Sequence, residues 1–81
     1  MKTVYKTSGT CSREINIEID NGIIKTVSFI GGCDGNLKAI SKLVAGMNAN
    51  EVIKLFEGIK CGQRNTSCGD QLAEALKEMV G

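Results

Sequence analysis

The sequence contains no histidine among its 81 residues. Imidazole is needed for a Cys–His nucleophile pair, for a histidine general base and for a mixed Cys/His zinc site, so all three kinds of site are excluded. The chain carries no complete cofactor-binding motif and is too short for a reductase barrel. We therefore assign no catalytic residue and expect a domain that is not an enzyme by itself.

Large aromatics, long apolar runs and excess charge are also scarce. Two Phe, one Tyr and no Trp leave the core to Ile, Leu and Val. No run of about 18 apolar residues exists, and the segment Met1-Lys2-Thr3-Val4 does not begin an apolar signal sequence. Ten Lys and Arg residues nearly balance nine Asp and Glu residues, which gives no electrostatic reason for binding nucleic acid or membrane. We expect a cytoplasmic protein.

The N-terminal half has the alternation of β-strands. Ile15, Ile17 and Ile19 recur with period two, and a run rich in β-branched residues follows the turn Asp20-Asn21-Gly22. A three-residue loop would pair Ile19 with Ile23, Ile15 with Val27, Arg13 with Phe29 and Cys11 with Gly31, which keeps polar residues off the isoleucine face. The segment Lys2 to Lys6 is a candidate edge strand.

The C-terminal half has the pattern of about three helices. Asp34 is a candidate cap for the first helix, Asn48-Ala49-Asn50-Glu51 opens a short second helix that ends at Gly58, and the third begins near Thr66-Ser67. We predict one α+β domain over residues 1–81. A two- or three-stranded antiparallel sheet comes from the N-terminal half, and the helices of the C-terminal half pack on one of its faces.

Four cysteines carry the functional hypothesis: Cys11, Cys33, Cys61 and Cys68. They lie in polar, Gly-rich junctions and not in apolar runs, and the predicted connectivity allows all four to meet at one end of the sheet. Thiolates without histidine suit a closed Zn²⁺ site or an Fe–S cluster, and the spacing does not choose between them. A redox pair of Cys61 and Cys68 is the alternative, since a helix N-terminus favours a thiolate. Scattered reduced thiols and a disulfide framework are the remaining alternatives.

Two further features have simpler interpretations. The stretch Gly31-Gly32-Cys33-Asp34-Gly35-Asn36 connects a strand to a helix as phosphate-binding loops do, but it lacks their full pattern. We interpret its glycines as room for the backbone to turn. Asp34 and Asp70 are interpreted as carboxylates of the helix cap and first turn, with a role as an oxygen ligand or a proton carrier beside the metal as the alternative.

The motif Thr66-Ser67-Cys68-Gly69-Asp70 resembles that of the TSCPD domain family, and the stretches Gly32 to Leu37 and Cys61-Gly62 support the likeness from Tyr5 to Val80. Gly69 stands where the family motif has proline. Similar domains occur alone in small bacterial proteins and at the C-terminus of adenosylcobalamin-dependent ribonucleotide reductases. The resemblance implies metal binding, and a ribonucleotide reductase or another redox enzyme as partner.

A fainter likeness is to scaffold proteins of Fe–S cluster assembly. Cys11, Cys33 and Cys68 would occupy the three cysteine positions of those scaffolds. Ser67 replaces a histidine, Arg13 stands where an aspartate is expected, and Cys61 is additional. The resemblance implies that three thiols converge.

Overall fold

The chain folds into a three-stranded antiparallel sheet followed by three helices. The computed structural model describes residues 1–7, 9, 12–32, 34–60, 62–63 and 65–80, with the backbone alone at position 34. The strands lie in the order β1-β2-β3. Their bounds, and those of the helices, are β1 (Lys2–Lys6), β2 (Ser12–Asp20), β3 (Ile23–Gly31), α1 (Asp34–Val44), α2 (Ala49–Phe56) and α3 (Cys68–Val80). The predicted α+β class is confirmed, and so is the edge strand β1.

The hairpin between β2 and β3 has a shorter turn than predicted. Asp20 pairs with Ile23 across the two-residue turn Asn21-Gly22. Both turn residues have positive φ, 53° and 78°, as a type I′ turn requires. The predicted three-residue loop, with Ile19 opposite Ile23, was therefore wrong.

The sheet register beyond the turn also differs from the prediction. Ile17 pairs with Val27, and Ile15 pairs with Phe29, so the predicted pairing of Phe29 with Arg13 was wrong. The register shifts between Glu18 and Ile19 because of a bulge. The β3 partner of Ile15 is therefore two positions away from the predicted one, and the isoleucines stay on the predicted face.

The other end of the hairpin is closed by a different residue from the one expected. Gly31 pairs with Ser12, after a second register shift between Ser12 and Glu14. The prediction had placed Cys11 opposite Gly31. The position of Cys11 itself lies outside the described residues.

The core lies between one face of the sheet and the helices. Ile15 and Ile24 from the sheet and Leu72 from α3 are fully buried, and β3 contacts α1 while α2 packs against α3. The apolar stripes of α1 and α2 predict buried sides that include Leu43 and Leu55, but these two residues are 65% and 61% exposed. No helix in the described part of the chain has the length and apolarity needed to cross a membrane.

Candidate functional site

Cys68 is the cysteine whose surroundings the structure describes. It is the first residue of α3 and is half-buried. Its Sγ lies 3.2 Å from the Oγ of Ser12, which is itself buried, and either atom can be the donor. These two residues are 56 positions apart in the chain. The start of α3 therefore lies against the start of β2.

The other three predicted site residues, Cys11, Cys33 and Cys61, lie outside the described residues. No group of three potential metal-ligating side chains is found among the residues that are described. Three of the four predicted ligands lie outside that part of the chain. The predicted four-cysteine site stays a prediction.

Sequence neighbours of these three cysteines do lie close to Cys68. Ser12 directly follows Cys11 and contacts Cys68. Gly31, two positions before Cys33, is the strand partner of Ser12. Lys60 directly precedes Cys61 and lines the same groove as Cys68. The described chain therefore approaches Cys68 at three separate places.

The first turn of α3 is fixed by a network of side chains. Ser67 caps the helix, since its Oγ accepts a hydrogen bond from the Asp70 backbone N–H at 3.0 Å. The Asp70 carboxylate accepts one from the Thr66 hydroxyl and another from the Gly58 N–H at 2.7 Å. The hydrogen bond from Thr66, then that from Gly58, lowers the pKa of Asp70 against the opposing effect of burial.

These contacts define the role of Asp70. Both of its oxygens accept hydrogen bonds within the protein, and they tie α3 to the turn after α2. The interpretation as a first-turn carboxylate therefore agrees with the geometry. Of Asp34 the structure describes the backbone alone, so its predicted role as a cap stays a prediction.

An apolar groove of about 410 Å³ opens beside Cys68. It is formed by residues of α1, by Phe56 and by the segment that follows α2. Its apolar lining is Leu37, Ile40, Leu43, Phe56 and Ile59. Lys60 is its one cationic lining residue among those described. The Cys68 thiol therefore has apolar side chains of the groove on one side and the Ser12 hydroxyl on another.

Sequence reasoning missed both Ser12 and this groove. The apolar residues Leu43 and Ile59 are 65% and 48% exposed, and their exposure is visible only in three dimensions. Leu43 belongs to an apolar helical stripe that is wider than a buried face needs. This extra width could have been used to predict the apolar groove. No pattern in the sequence distinguishes Ser12 from other polar residues at strand ends.

The fold and site together define a small α+β domain with a thiol at the head of its last helix, held against the first residue of a central strand. The TSCPD domain family model matches residues 1–80. The chain therefore belongs to the TSCPD domain family. Neither the comparison with curated proteins nor that with solved structures found a match.

Proposed function

We propose that this domain is a small metal-binding module in which Cys11, Cys33, Cys61 and Cys68 hold one Zn²⁺ ion or an Fe–S cluster. The observation that carries the proposal is the 3.2 Å contact between Cys68 Sγ and Ser12 Oγ. It brings the head of α3 to the residue that follows Cys11.

Covalent geometry extends this argument to the other cysteines. Consecutive Cα atoms are about 3.8 Å apart, so a cysteine cannot lie far from its sequence neighbour. Ser12 directly follows Cys11, its strand partner Gly31 lies two positions before Cys33, and Lys60 directly precedes Cys61. All three neighbours belong to the end of the domain where Cys68 lies. This supports a common site for the four thiols.

The chemistry of the proposed site follows from its ligands. Four thiolates would fill a tetrahedral Zn²⁺ site completely, and such a closed site stabilises a fold without performing a reaction. The same ligands suit an Fe–S cluster. Hydrogen bonds to ligating sulfurs tune a metal centre, and the Ser12 hydroxyl is placed to give one to Cys68. The Asp70 carboxylate would remain a helix anchor outside the ligand shell.

Metal content tests the proposal. Protein purified without oxygen should contain roughly one metal ion or cluster per chain. A band near about 400 nm would identify iron and sulfur, whereas colourless protein with zinc would identify a structural site. The variant Cys68→Ser should lose most of the metal. The variant Asp20→Asn is the matched control, because Asp20 is exposed at the hairpin and its loss should leave the metal content unchanged.

A low metal content would argue against the proposal. Metal far below one equivalent in the wild-type protein, together with unchanged stability in a chelator, would disprove the proposed site. The variant Asp70→Asn separates the two interpretations of that carboxylate. It should keep the metal if Asp70 is an anchor and lose metal if Asp70 is a ligand.

A thiol redox module is the second candidate function. The observation that favours it is that Lys60, next to Cys61, lines the same groove as Cys68. In this function, Cys61 and Cys68 would form a disulfide as they pass two electrons and two protons to a partner's disulfide. Reversible loss of two titratable thiols on oxidation, abolished in Cys61→Ser and in Cys68→Ser but kept in Cys11→Ser, would favour it over metal ligation.

The setting of the module is also a proposal. The expected cytoplasmic location stays a prediction, and the family resemblance suggests that the domain docks on a ribonucleotide reductase or another redox enzyme. Size-exclusion chromatography with a purified adenosylcobalamin-dependent ribonucleotide reductase tests this partner. Co-elution of the wild-type domain with the reductase would support this partner. Separate elution of the two proteins at micromolar concentrations would count against it.

A further inference from the structure

The two outer strands of the sheet differ in how their edges are protected. β1 has five residues and carries a lysine at each end, Lys2 and Lys6. Short length and edge lysines prevent an edge strand from pairing with another chain. β3 has nine residues, and none of its residues from Thr26 to Gly31 is charged. Such an edge is a template for an additional strand.

Part of the β3 edge is already covered by the chain itself. The Ile24 N–H donates to the Met47 carbonyl at 2.9 Å, and the Gly46 N–H donates to the Ile24 carbonyl at 2.8 Å. Farther along, no described strand lies outside β3, and no turn or loop hydrogen bond within the described chain reaches Val27 or Phe29. In an antiparallel edge strand, every second residue directs its N–H and C=O outward. Within the described part of the chain, the stretch around Val27 to Phe29 is therefore an open edge.

A groove of about 580 Å³ follows this open edge between β3 and α1. Its floor is formed by Val27, Ser28 and Phe29, and it ends at the exposed pair Gly31-Gly32. The wall from α1 presents one apolar residue and three polar ones, Leu37, Lys38, Ser41 and Lys42. A groove with a strand edge as its floor fits an extended peptide, which binds by adding to the sheet.

The charges around the groove indicate what kind of peptide fits. Lys38 and Lys42 are exposed and lie one helical turn apart on α1. The charged residues of β3 and α1 are three lysines and one aspartate. A second copy of the chain on the same edge would bring two such sets of lysines together across a two-fold axis, and like charges across an interface oppose association. An acidic strand has the complementary charge.

We propose that the open edge of β3 receives an extended acidic segment of a partner protein, which adds as a fourth strand with its carboxylates facing Lys38 and Lys42. The segment's backbone would hydrogen-bond to β3, and its side chains on the helix side would lie in the groove. This inference rests on the docking part of the proposed function and not on its metal site.

Peptide binding tests the inference. The probe is a peptide of about six alternating glutamates and valines, long enough for one strand, and its counterpart has lysine in place of glutamate. Titration of the ¹⁵N-labelled protein should move the amide signals of Val27 to Phe29 with the glutamate peptide and leave them in place with the lysine peptide. The variant Lys42→Glu should weaken binding by about threefold to tenfold. Lys54→Glu is the matched control, since Lys54 is exposed on α2 and should change nothing.

Backbone methylation separates strand addition from simple charge attraction. Two versions of the glutamate peptide carry N-methyl groups on all glutamates or on all valines, which removes the N–H donors from one edge at a time. One version should lose binding and the other should keep it. Equal binding by both versions, or no binding up to about 1 mM, would overturn the inference. So would a dimer of the protein alone in which these amides are protected.

The same titration on the Cys68→Ser variant keeps the two proposals distinguishable. Peptide binding retained in a metal-free variant supports the edge site whatever the outcome of the metal analysis. Peptide binding absent from metal-loaded wild-type protein removes the edge site and leaves the thiolate site standing.

Discussion

The two ends of the sheet are held together by different kinds of contact. The hairpin end is tied by backbone groups. The Ile19 N–H donates to the Met1 carbonyl at 2.8 Å, the Met1 ammonium donates to the Ile19 carbonyl at 2.8 Å, and the Ala49 N–H donates to the Gly22 carbonyl at 2.9 Å. Backbone groups are present in every residue, so this end depends on chain path and packing more than on particular side-chain chemistry.

The cysteine end depends on side chains. Ser12 Oγ contacts Cys68 Sγ, Ser67 caps α3, and the Asp70 carboxylate joins Thr66 to the Gly58 N–H. Few residue types could replace these groups. The difference indicates that substitutions at the hairpin end should change stability alone, whereas substitution of Ser12 or Cys68, which are in contact at the cysteine end, should also change metal or thiol behaviour.

The largest effect should come from truncating the core beside the hairpin. Ile24 is fully buried, so Ile24→Ala should lower the free energy of unfolding by about 2–5 kcal/mol. Urea denaturation of metal-free protein measures the loss. Val4→Ala is the control, because Val4 is 56% exposed and should cost far less. Equal losses of unfolding free energy in the two variants would contradict the burial of Ile24 in the core.

A smaller loss should follow from disturbing the hairpin turn. Gly22 has a φ of +78°, and no described atom beyond its chain neighbours lies within 4 Å of the position that a Cβ would occupy there, so Gly22→Ala meets strain and no steric clash. A left-handed backbone costs an L-residue about 1–2 kcal/mol. Metal content per folded chain should stay at the wild-type value, since the turn is at the far end of the sheet. A fall in metal content would contradict the separation of the two ends.

At the cysteine end, the carboxylate of Asp70 should make stability depend on pH. Its folded-state pKa is lowered, above all by the hydrogen bond from Thr66, from an ordinary value of 3.8. The stabilisation is therefore present above pH 3.8 and is lost as the pH falls through the lower folded value. Asp70→Asn should cost about 1 kcal/mol at pH 7, and this difference from the wild type should vanish in strong acid.

Denaturation curves at several pH values measure this dependence, and Asp20→Asn is again the control. A difference between wild type and Asp70→Asn that persists unchanged to the acid limit would mean that the amide lost packing and not charge. That result would mean that folding does not lower the pKa of Asp70, and it would contradict the role given to the hydrogen bonds from Thr66 and Gly58.

Local patterns in the sequence were enough to predict the elements of the fold. Asn48 was placed at the start of the second helix, and its Oδ1 does accept a hydrogen bond from the Asn50 N–H at 2.8 Å. The period-two isoleucines identified the buried face of β2, which the structure confirms for Ile15, Ile17 and Ile19. Caps and alternation are local, so sequence alone contains them.

The register of the hairpin could not be obtained in this way. The three-residue loop was predicted because a two-residue Asn21-Gly22 turn without a bulge places polar residues opposite the isoleucines. A bulge resolves the conflict: Ile19 pairs with Ile24 and Glu18 with Thr26, so Lys25 is left over. One inserted residue keeps both the favoured turn and the apolar face. No residue type in β2 or β3 predicts this bulge from the sequence alone.

The candidate site was predictable only in part. The place of Cys68 at the head of α3 followed from the helix pattern, whereas its contact with Ser12 depends on how α3 packs against the sheet. That packing is set by many weak contacts between distant segments. The groove beside Cys68 has the same origin, since it lies between α1 and the turn after α2.

The smallest predicted effect has the opposite sign and concerns the glycine that follows Cys68. Gly69 lies in the first turn of α3 without a positive φ, and a Cβ there would be 3.6 Å from Phe56 Cδ2, an ordinary contact distance. Gly69→Ala should therefore stabilise the metal-free protein by about 0.4–1 kcal/mol, because alanine restricts the unfolded chain. Gly35→Ala in the first turn of α1 is the matched control and should give a similar gain, since no described atom beyond its chain neighbours lies within 4 Å of its Cβ position. Thermal unfolding of both variants beside Gly22→Ala measures the signs. A loss of stability in Gly69→Ala with a gain in Gly35→Ala would mean that the backbone beside Cys68 does not tolerate an added Cβ. The cysteine end would then have a steric restriction that its described contacts do not explain.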